Sequence, residues 1–391
     1  MKVTSLELTD IGGIPYLKLE NINYQMNIIC GENGVGKTNI LDAISYCFSE
    51  NDVDVLAKRV GVDQGNIQLK FKNDNIQDLV NINVSHSFPT TEYDHKYLNN
   101  NKFHSLKKSL LYLKVNRVFK YKKELSINAD PDASNRERFN SAGVDNKDIK
   151  QWFISRHLHS AHEGNLSEVQ QRNIELARRC FSLMNNEYSF RKTIPQNEII
   201  VTTPTGEIYF EYLSSGFKST LYILLGIIKE LEYRFQDNHI AAESYDGLIL
   251  IDEVELHLHP EWQGRICSVL KKVFPKVQFF ITTHSPHVVQ TASQDEVIAL
   301  ERKAGAVVKR DLPISEYGYQ GWTVEEILEE VMGMPDLRTK KYNEYISLFE
   351  EALDSENKAQ AQAAYDELNK MLHPDYPLRA VLKMQLNSLG E

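Results

Sequence analysis

Nine consecutive residues have the types and spacing needed to hold a polyphosphate. They are Gly31, Glu32, Asn33, Gly34, Val35, Gly36, Lys37, Thr38 and Asn39. The first eight fit the pattern G-x-x-x-x-G-K-[ST], in which a glycine-rich loop wraps its backbone N–H groups around phosphate oxygens. In that pattern the lysine reaches the outer phosphates and the last hydroxyl faces Mg²⁺. We therefore predict a nucleotide-binding site here, with Thr38 as a ligand of Mg²⁺.

The segments on either side of this loop agree with a phosphate-binding role. Residues 26–30 form a short apolar run typical of a buried strand, and residues 38–48 place apolar side chains at helical spacing. A loop that joins a strand to a helix presents its phosphate to the helix N-terminus, where backbone N–H groups are unpaired. The alternative, a glycine turn without a ligand, leaves this context unexplained.

Two carboxylates follow a second apolar run and supply the chemistry of a nucleotide hydrolase. Asp252 and Glu253 come directly after residues 247–251, which are typical of a buried strand. A carboxylate at that position can share Mg²⁺ with the Thr38 hydroxyl. The next carboxylate can orient and deprotonate a water molecule in line with the γ-phosphate. We predict Asp252 as a metal ligand and Glu253 as the catalytic base.

A second anion-binding pattern opens the long apolar helix predicted from Thr220. Residues 213–217 read Leu-Ser-Ser-Gly-Phe, and small polar residues at a helix N-terminus favour anions. This stretch precedes the two carboxylates by about forty residues, so within one chain it would serve something other than its own phosphate loop. The alternative is an ordinary helix N-cap.

A histidine follows the strand predicted at residues 277–282. His284 stands where its imidazole could reach a γ-phosphate or respond to the loss of one. Alone, such a histidine is better explained by a capping or core role. Its position after the other motifs favours catalysis, and we predict it as the second catalytic residue.

The elements around these motifs predict an α/β fold. Strand-like runs alternate with helical patterns, which indicates a mixed central sheet covered by helices. We place a nucleotide-binding head at residues 1–312, with an inserted polar and helical region at about 85–190. Residues 313–391 are predicted to be an acidic α-helical region, because residues 321–391 carry fourteen acids against seven bases.

The order of the motifs resembles the ATP-binding-cassette (ABC) type of ATPase, in the branch with the RecF recombination ATPases and the overcoming-lysogenization-defect (OLD) family. The matches are Gly31 to Thr38 for Walker A, Leu213 to Phe217 for the signature, Leu248 to Asp252 for Walker B, Glu253 for the catalytic glutamate, Leu258–His259 for the D-loop and His284 for the switch histidine. The resemblance covers roughly residues 1–300. It implies an ABC-type P-loop NTPase head that binds and hydrolyses ATP with Mg²⁺.

The same resemblance implies a head-to-tail pair, in which the signature of one chain closes over the γ-phosphate held by Lys37 of the other. The residues implied to act in trans are Leu213, Ser214, Ser215, Gly216, Lys218 and His259. Ser215 and Phe217 replace the consensus Gly and Gln, so the geometry of this cap and the turnover rate stay open. The Q-loop glutamine and the adenine contact are also unassigned, with Gln151 and Tyr16 as candidates.

Composition excludes some classes of protein and leaves one contact open. The net charge of −10 argues against a protein with an overall basic surface for binding nucleic acid. No apolar run is long enough to cross a membrane. Four cysteines without a C-x-x-C pair suit a reduced compartment, so we expect a cytoplasmic protein. From Lys96 to Lys123 there are nine Lys or Arg and no acid. That run is a solvated face, a DNA or RNA contact, or a partner contact.

The segments outside the motifs bear on the expected role. The chain lacks the coiled-coil arms of chromosome-maintenance ATPases, and after His284 it has no D-x-D pair of the kind that the OLD nuclease domain carries. A compact head with an acidic helical tail resembles the ATPase subunits of bacterial anti-phage defence systems, such as the Septu, retron-associated and PARIS ATPases. That resemblance implies a homo-oligomer that gates a separate nuclease or toxin effector, with no nuclease activity in this chain.

Two other functions stay open at this point. A RecF-like ATPase would clamp DNA between ATP-bound heads, using the basic run from Lys96 to Lys123. A nucleotide-gated scaffold would bind ATP and turn it over hardly at all, which the Phe217 departure would allow.

Overall fold

The structure, a computed structural model, describes most of the chain in ranges separated by gaps. The described residues are 1–49, 56–73, 76–85, 87, 106–115, 121, 123–132, 143–144, 148–313, 316–334 and 336–389. Five basic residues of the run from Lys96 to Lys123 lie outside them, namely Lys96, Lys102, Arg117, Lys120 and Lys122. A nucleic-acid contact through this run therefore stays a prediction.

Thirteen strands lie within the described residues. They are β1 (Lys2–Ile11), β2 (Ile14–Leu19), β3 (Met26–Gly31), β4 (Gly65–Asn73), β5 (Ile76–Val84), β6 (Leu110–Leu113), β7 (Ser189–Ile194), β8 (Glu198–Thr203), β9 (Gly206–Tyr209), β10 (Leu248–Ile251), β11 (Gln278–Thr282), β12 (Val297–Lys303) and β13 (Ala306–Lys309). The three apolar runs predicted as buried strands are β3, β10 and β11, and every residue in them is buried.

Eleven α-helices lie in the same part of the chain, and none of them is long and apolar enough to span a membrane. They are α1 (Lys37–Cys47), α2 (Ile149–His159), α3 (Glu168–Met184), α4 (Ser215–Arg234), α5 (Pro260–Gln263), α6 (Ile266–Val273), α7 (Pro286–Gln290), α8 (Val324–Glu326, continued by a π-helical turn at Ile327–Val331), α9 (Lys340–Asp354), α10 (Lys358–Met371) and α11 (Leu378–Ser388). A single helix at residues 261–273 fits the apolar spacing, but the structure has two, α5 and α6. The break comes at Gly264, which follows α5 as its C-cap, and Arg265, which precedes α6 as its N-cap.

The predicted motifs meet at one edge of a six-stranded central sheet. Its strand order is β13-β12-β3-β11-β10-β6, and every neighbouring pair is parallel except β12–β13. Ile251 of β10 pairs with Ile281 of β11 on one side and with Leu113 of β6 on the other. The carboxyl ends of β3, β11, β10 and β6 therefore lie side by side, and the residues that follow them share one edge. This mixed sheet covered by helices confirms the predicted fold class.

The two faces of the central sheet belong to different apolar cores. Leu248 and Leu250 join the core that includes α1 and the antiparallel sheet β2-β1-β4-β5. Ile249 and Ile251 join the core that includes α2, α3, α4 and α6. Because side chains alternate across a strand, both faces of β10 are buried, which explains its continuous apolar run. A third sheet, β7-β8-β9, is antiparallel and precedes α4 in the chain.

The chain divides into two compact units, Met1–Gly333 and Met334–Glu391. The second unit contains α9, α10 and α11 around an apolar core of its own. Residues 316–333 belong to the first unit, and Ile327 among them is fully buried in its core. The predicted boundary after residue 312 therefore falls inside the first unit, because apolar burial and not the change in net charge sets the limit of a compact unit.

Candidate nucleotide site

The phosphate loop joins the end of β3 to the start of α1, and close neighbours require two of its glycines. Gly31 has φ 134° and Gly36 has φ 106°, both in the region that favours glycine. A Cβ on Gly31 would lie 2.3 Å from the Leu300 carbonyl oxygen, and one on Gly36 would lie 2.7 Å from Ile14 Cγ1. The loop is therefore held between β12 and the start of β2, where no larger residue fits without a shift.

Lys37 is the first residue of α1, and its amine is folded back onto the loop. Nζ donates to the carbonyl oxygens of Gly31 at 2.9 Å and Glu32 at 3.0 Å, and the residue is only 6% exposed. Burial lowers the pKa of Lys37, an effect that the nearby Cys30 thiol and three carboxylates oppose. A desolvated amine with only carbonyl partners gains strongly from a phosphate, so the loop fits a nucleoside triphosphate.

The predicted metal ligands meet at the same edge. Thr38 Oγ1 donates to the two carboxylate oxygens of Asp252 at 3.2 and 3.1 Å, and Thr282 Oγ1 donates to Asp252 Oδ1 at 2.5 Å. Asp252 is 3% exposed and follows β10 directly. A carboxylate and a hydroxyl that converge at a phosphate loop are hard oxygen donors of the kind Mg²⁺ prefers. The donor set therefore fits Mg²⁺.

Glu253 leaves strand β10 in a left-handed conformation. Its φ is 47°, and its backbone N–H donates to Thr282 Oγ1 at 2.7 Å. A non-glycine residue in that region stores about 1–3 kcal/mol of strain, and such residues cluster at functional sites. Thr282, which the sequence pattern does not single out, therefore contacts both predicted carboxylate residues from the end of β11.

His284 lies two residues beyond Thr282, in the loop between β11 and α7. The residue is exposed, and its backbone N–H donates to Glu255 Oε1 at 2.6 Å. Strand β11 lies between β10 and β3, so this loop stands between the carboxylates and the phosphate loop. The structure thus brings Lys37, Thr38, Asp252, Glu253 and His284 to one edge of the sheet.

The segment that resembles an ABC signature begins α4 with two outward-facing serines. Ser214 caps the helix, since its Oγ accepts the Phe217 N–H at 3.3 Å, and both Ser214 and Ser215 are exposed. Gly216 packs against the D-loop candidate, because a Cβ there would lie 3.1 Å from the His259 backbone nitrogen. The glycine contact is used within the chain, whereas both serines are exposed and Ser214 also caps the helix.

Phe217, where the ABC consensus has glutamine, is a core residue. It is 2% exposed, and its ring centroid lies 4.8 Å from that of Tyr188 and 5.7 Å from that of Trp262. Leu213 is buried in the same core, and Lys218 Nζ donates to an upstream backbone carbonyl at 2.8 Å. The departure at Phe217 therefore serves packing beneath the helix N-terminus.

The structure shows an ion pair near the predicted metal ligands that the sequence analysis does not predict. Asp42 lies one turn after Thr38 on α1; its carboxylate accepts the Tyr112 hydroxyl at 3.1 Å and lies 3.6 Å from Lys114 Nζ. Burial raises the pKa of Asp42 to about 6, and Lys114 opposes that shift. Lys114 follows β6, so the sheet register sets it beside Asp252. The i, i+4 spacing from Thr38 is the available sequence signal.

The candidates for the Q-loop glutamine and the adenine contact, Gln151 and Tyr16, bond to residues outside the nucleotide site. Gln151 lies on α2, where its Oε1 accepts from Asn128 Nδ2 at 3.5 Å. Tyr16 lies on β2, is 40% exposed, and donates from its hydroxyl to Glu7 Oε1 at 3.3 Å. Neither contact involves the phosphate loop or its carboxylates, so the Q-loop and adenine assignments stay open.

The sequence is similar to those of known proteins. The family model described as "AAA domain, putative AbiEii toxin, Type IV TA system" matches residues 26–290, a span from the start of β3 to the end of α7 that includes every motif from the phosphate loop to His284. Septu protein PtuA of Bacillus thuringiensis is 41% identical over 397 residues, which cover 99% of this chain and 98% of that protein. The chain belongs to the Septu PtuA family. It is an ATPase of the kind found in Septu and retron defence systems.

Two further similarities have a lower coverage of this chain and a lower sequence identity. "Retron Ec83 probable ATPase" of Escherichia coli is 32% identical over 176 residues, which cover 44% of this chain and 31% of that protein. The match to the structure of the SMC head domain from Thermotoga maritima covers 80% of this chain and 100% of that chain, with 16% sequence identity and a TM-score of 0.47.

Proposed function

We propose that this chain binds ATP and Mg²⁺ at the edge formed by β3, β10 and β11 and hydrolyses the ATP in a head-to-tail pair of identical heads. The observation that supports this most is a contrast within one chain. Lys37 and Asp252 are buried and bonded inside the phosphate site, whereas Ser214 and Ser215 are exposed at the start of α4. A helix N-terminus with exposed serines suits a phosphate that another chain brings.

Each residue of the edge has its own task in the proposed reaction. Lys37 exchanges its carbonyl partners for oxygens of the β- and γ-phosphates. Thr38 and Asp252 hold Mg²⁺, which when bound neutralises charge on the phosphate oxygens. Glu253 takes a proton from water as the water oxygen bonds to the γ-phosphorus, and it later returns that proton to the phosphate product. The bond to the bridging oxygen breaks with its electron pair leaving on ADP, while His284 donates a hydrogen bond to the transferred phosphoryl group.

The second chain contributes the residues around its own α4. The set proposed to act in trans is Leu213, Ser214, Ser215, Gly216, Lys218 and His259. The two exposed serines would donate to the γ-phosphate. Leu213 is buried, and Gly216 packs against His259, so these residues would set the position of the serines.

Mixing two inactive variants tests the shared site. Lys37→Ala leaves the signature intact, and Ser215→Arg leaves the phosphate loop intact. Each alone should hydrolyse ATP at least about 30-fold more slowly, because a phosphate contact is lost. A 1:1 mixture should recover about a quarter of the parent rate, since half of the random pairs contain one complete site. If both variants fold and the mixture is no faster than either alone, each chain acts by itself.

Glu253→Gln tests the assignment of the base. We expect ATP to bind with the parent affinity and to be hydrolysed at least about 100-fold more slowly, because the amide cannot take the proton. ATP should also hold this variant in a paired species, which size-exclusion chromatography with light scattering would detect. A parent-like rate would remove Glu253 from the role of base.

We also infer that ATP-dependent pairing gates a separate nuclease or toxin. The support comes from the relatives, since Septu and retron proteins are parts of multi-component defence systems. The purified chain, incubated with Mg²⁺, ATP and plasmid DNA or RNA, should leave the nucleic acid intact until an effector is added. Cleavage by the purified chain alone would overturn this inference. Salt-sensitive, ATP-stimulated binding to duplex DNA would instead favour the RecF-like clamp.

A further inference from the structure

We propose that Glu255 is a positioning residue that fixes the catalytic loop carrying His284. This inference rests on the proposed hydrolysis at Glu253 and His284. Glu255 Oε1 accepts the His284 backbone N–H at 2.6 Å, and Oε2 accepts the Thr283 hydroxyl at 2.7 Å. Both oxygens of one carboxylate thus bind consecutive residues of one loop.

The loop end that Glu255 holds is anchored on the sheet side. Thr283 is fully buried, and its N–H donates to the carbonyl oxygen of Ile29 in β3 at 3.0 Å. Its Oγ1 also accepts the Ser285 N–H at 3.0 Å. His284 stands between these two fixed neighbours, and Glu255 holds its backbone N–H.

Glu255 is itself part of the turn that follows the proposed base. The Val254 N–H donates to the Thr282 carbonyl at 3.0 Å, and the Leu258 N–H donates to the Glu255 carbonyl at 2.8 Å. Glu253, two residues earlier, is held by its own N–H bond to Thr282 Oγ1. One short turn therefore contains both the proposed base, Glu253, and Glu255. Through its side chain, Glu255 sets the position of His284.

A second contact joins the same two segments. Gln263 Nε2 donates to the Leu258 carbonyl at 2.9 Å, and its Oε1 accepts the Ser285 hydroxyl at 2.6 Å. The turn and the loop should therefore stay together when the carboxylate is altered, and the loss should fall on the placement of His284. A misplacement of about 1 Å at a catalytic group is enough to cost up to about 100-fold in rate.

Two substitutions separate geometry from charge. Glu255→Gln keeps the shape but removes the charge, so the charge-assisted bond that the His284 N–H donates becomes a weaker bond to a neutral amide oxygen. Glu255→Asp keeps the charge but is one methylene too short to reach both donors. The matched control is Glu261→Gln, which makes the same charge change at an exposed residue of α5.

For both Glu255 variants we expect kcat to fall about 10-fold while the KM for ATP changes less than about threefold, because the phosphate loop is untouched. Glu261→Gln should match the parent in both constants. Thermal melting checks the fold of each variant; if Glu255→Gln does not fold, Glu255→Asp decides the question. Variants of Glu255 that hydrolyse ATP like the control would overturn the proposal.

A double-variant cycle distinguishes positioning from a general structural role. If Glu255 acts through His284, then Glu255→Gln should slow the parent about 10-fold but should not slow His284→Ala further. Losses that multiply would show that Glu255 acts independently of His284 and would overturn the proposal. A parent-like rate for Glu253→Gln would instead reject the proposed function, so the two failures are distinguishable.

Discussion

The phosphate-loop edge and the start of α4 are both anion-binding regions, but they are built in opposite ways. At the edge, Lys37 and Asp252 are buried and bonded to groups of the same chain. At the start of α4, the residue beneath the helix is a buried phenylalanine and the two serines are exposed. The polar side chains of the first region are held by bonds within the chain, whereas those of the second are exposed on the surface.

From this contrast we expect ATP affinity and ATP turnover to depend on different residues. Residues of the edge should control nucleotide affinity within a single chain, because their partners are already in place. Residues at the start of α4 should control turnover or stability and leave affinity almost unchanged. Four substitutions test this separation.

Lys37→Ala should have the largest effect. It removes the amine now held by the carbonyls of Gly31 and Glu32, and we expect ATP affinity to fall at least about 1,000-fold, or about 4 kcal/mol. Isothermal titration calorimetry measures the loss. Lys70→Ala, at an exposed lysine of β4, is the control and should bind as the parent does. Retained affinity in Lys37→Ala would mean that the edge does not hold the triphosphate.

Phe217→Gln, which restores the ABC consensus residue, should destabilise the head. The ring is buried against Tyr188 and Trp262, so its loss should lower the free energy of unfolding by about 3 kcal/mol. Chemical denaturation measures this, and Tyr212→Ala, at a residue 75% exposed, should stay within about 0.5 kcal/mol of the parent. A more stable or equally stable Phe217→Gln variant would contradict the core role.

Ser215→Arg tests whether the exposed serines affect turnover and not ATP affinity. The substitution should remove the contact of the serine hydroxyl with the γ-phosphate that a second chain brings, so we expect kcat/KM to fall about 30-fold, or about 2 kcal/mol. ATP affinity of the single chain should stay within about twofold, because the phosphate loop is untouched. Fluorescent-nucleotide titration alongside a phosphate-release assay separates the two quantities. Equal losses of affinity and rate would place Ser215 in the same functional unit as Lys37.

Asp42→Asn should change the free energy of unfolding by an amount that depends on pH. Burial raises the pKa of Asp42 from 3.8 to about 6, so the folded chain holds this proton more tightly than the unfolded chain. Stability from that proton is complete below about pH 4 and is lost as the pH rises through about 6. Asparagine removes the buried charge, so its stability relative to the parent should be greater at about pH 8 than at about pH 4, by up to about 3 kcal/mol.

Urea denaturation at the two pH values measures the difference. Asp237→Asn is a control for the general loss of one negative charge, since that aspartate is exposed. If Asp42→Asn is less stable than the parent at about pH 8, the pair with Lys114 at 3.6 Å outweighs the cost of burying the carboxylate.

Local sequence patterns predicted the parts of the molecule that local physics determines. The glycines at positions 31 and 36 are needed because of positive φ and close neighbours, and they stand at fixed spacing before Lys37. The run that becomes β10 is apolar throughout because both of its faces are buried. From such runs the parallel sheet, and with it the meeting of Thr38 and Asp252, could be expected.

Contacts between distant residues were decided by the tertiary structure alone. Phe217 has a packing role because α4 passes Trp262, Asp42 has a raised pKa because folding buries its carboxylate, and Glu255 faces His284 because β10 and β11 are neighbours. None of these pairs has a spacing that a periodic pattern could reveal. Burial and charge pairing depend on the packing of elements, which one-dimensional periodicity does not specify.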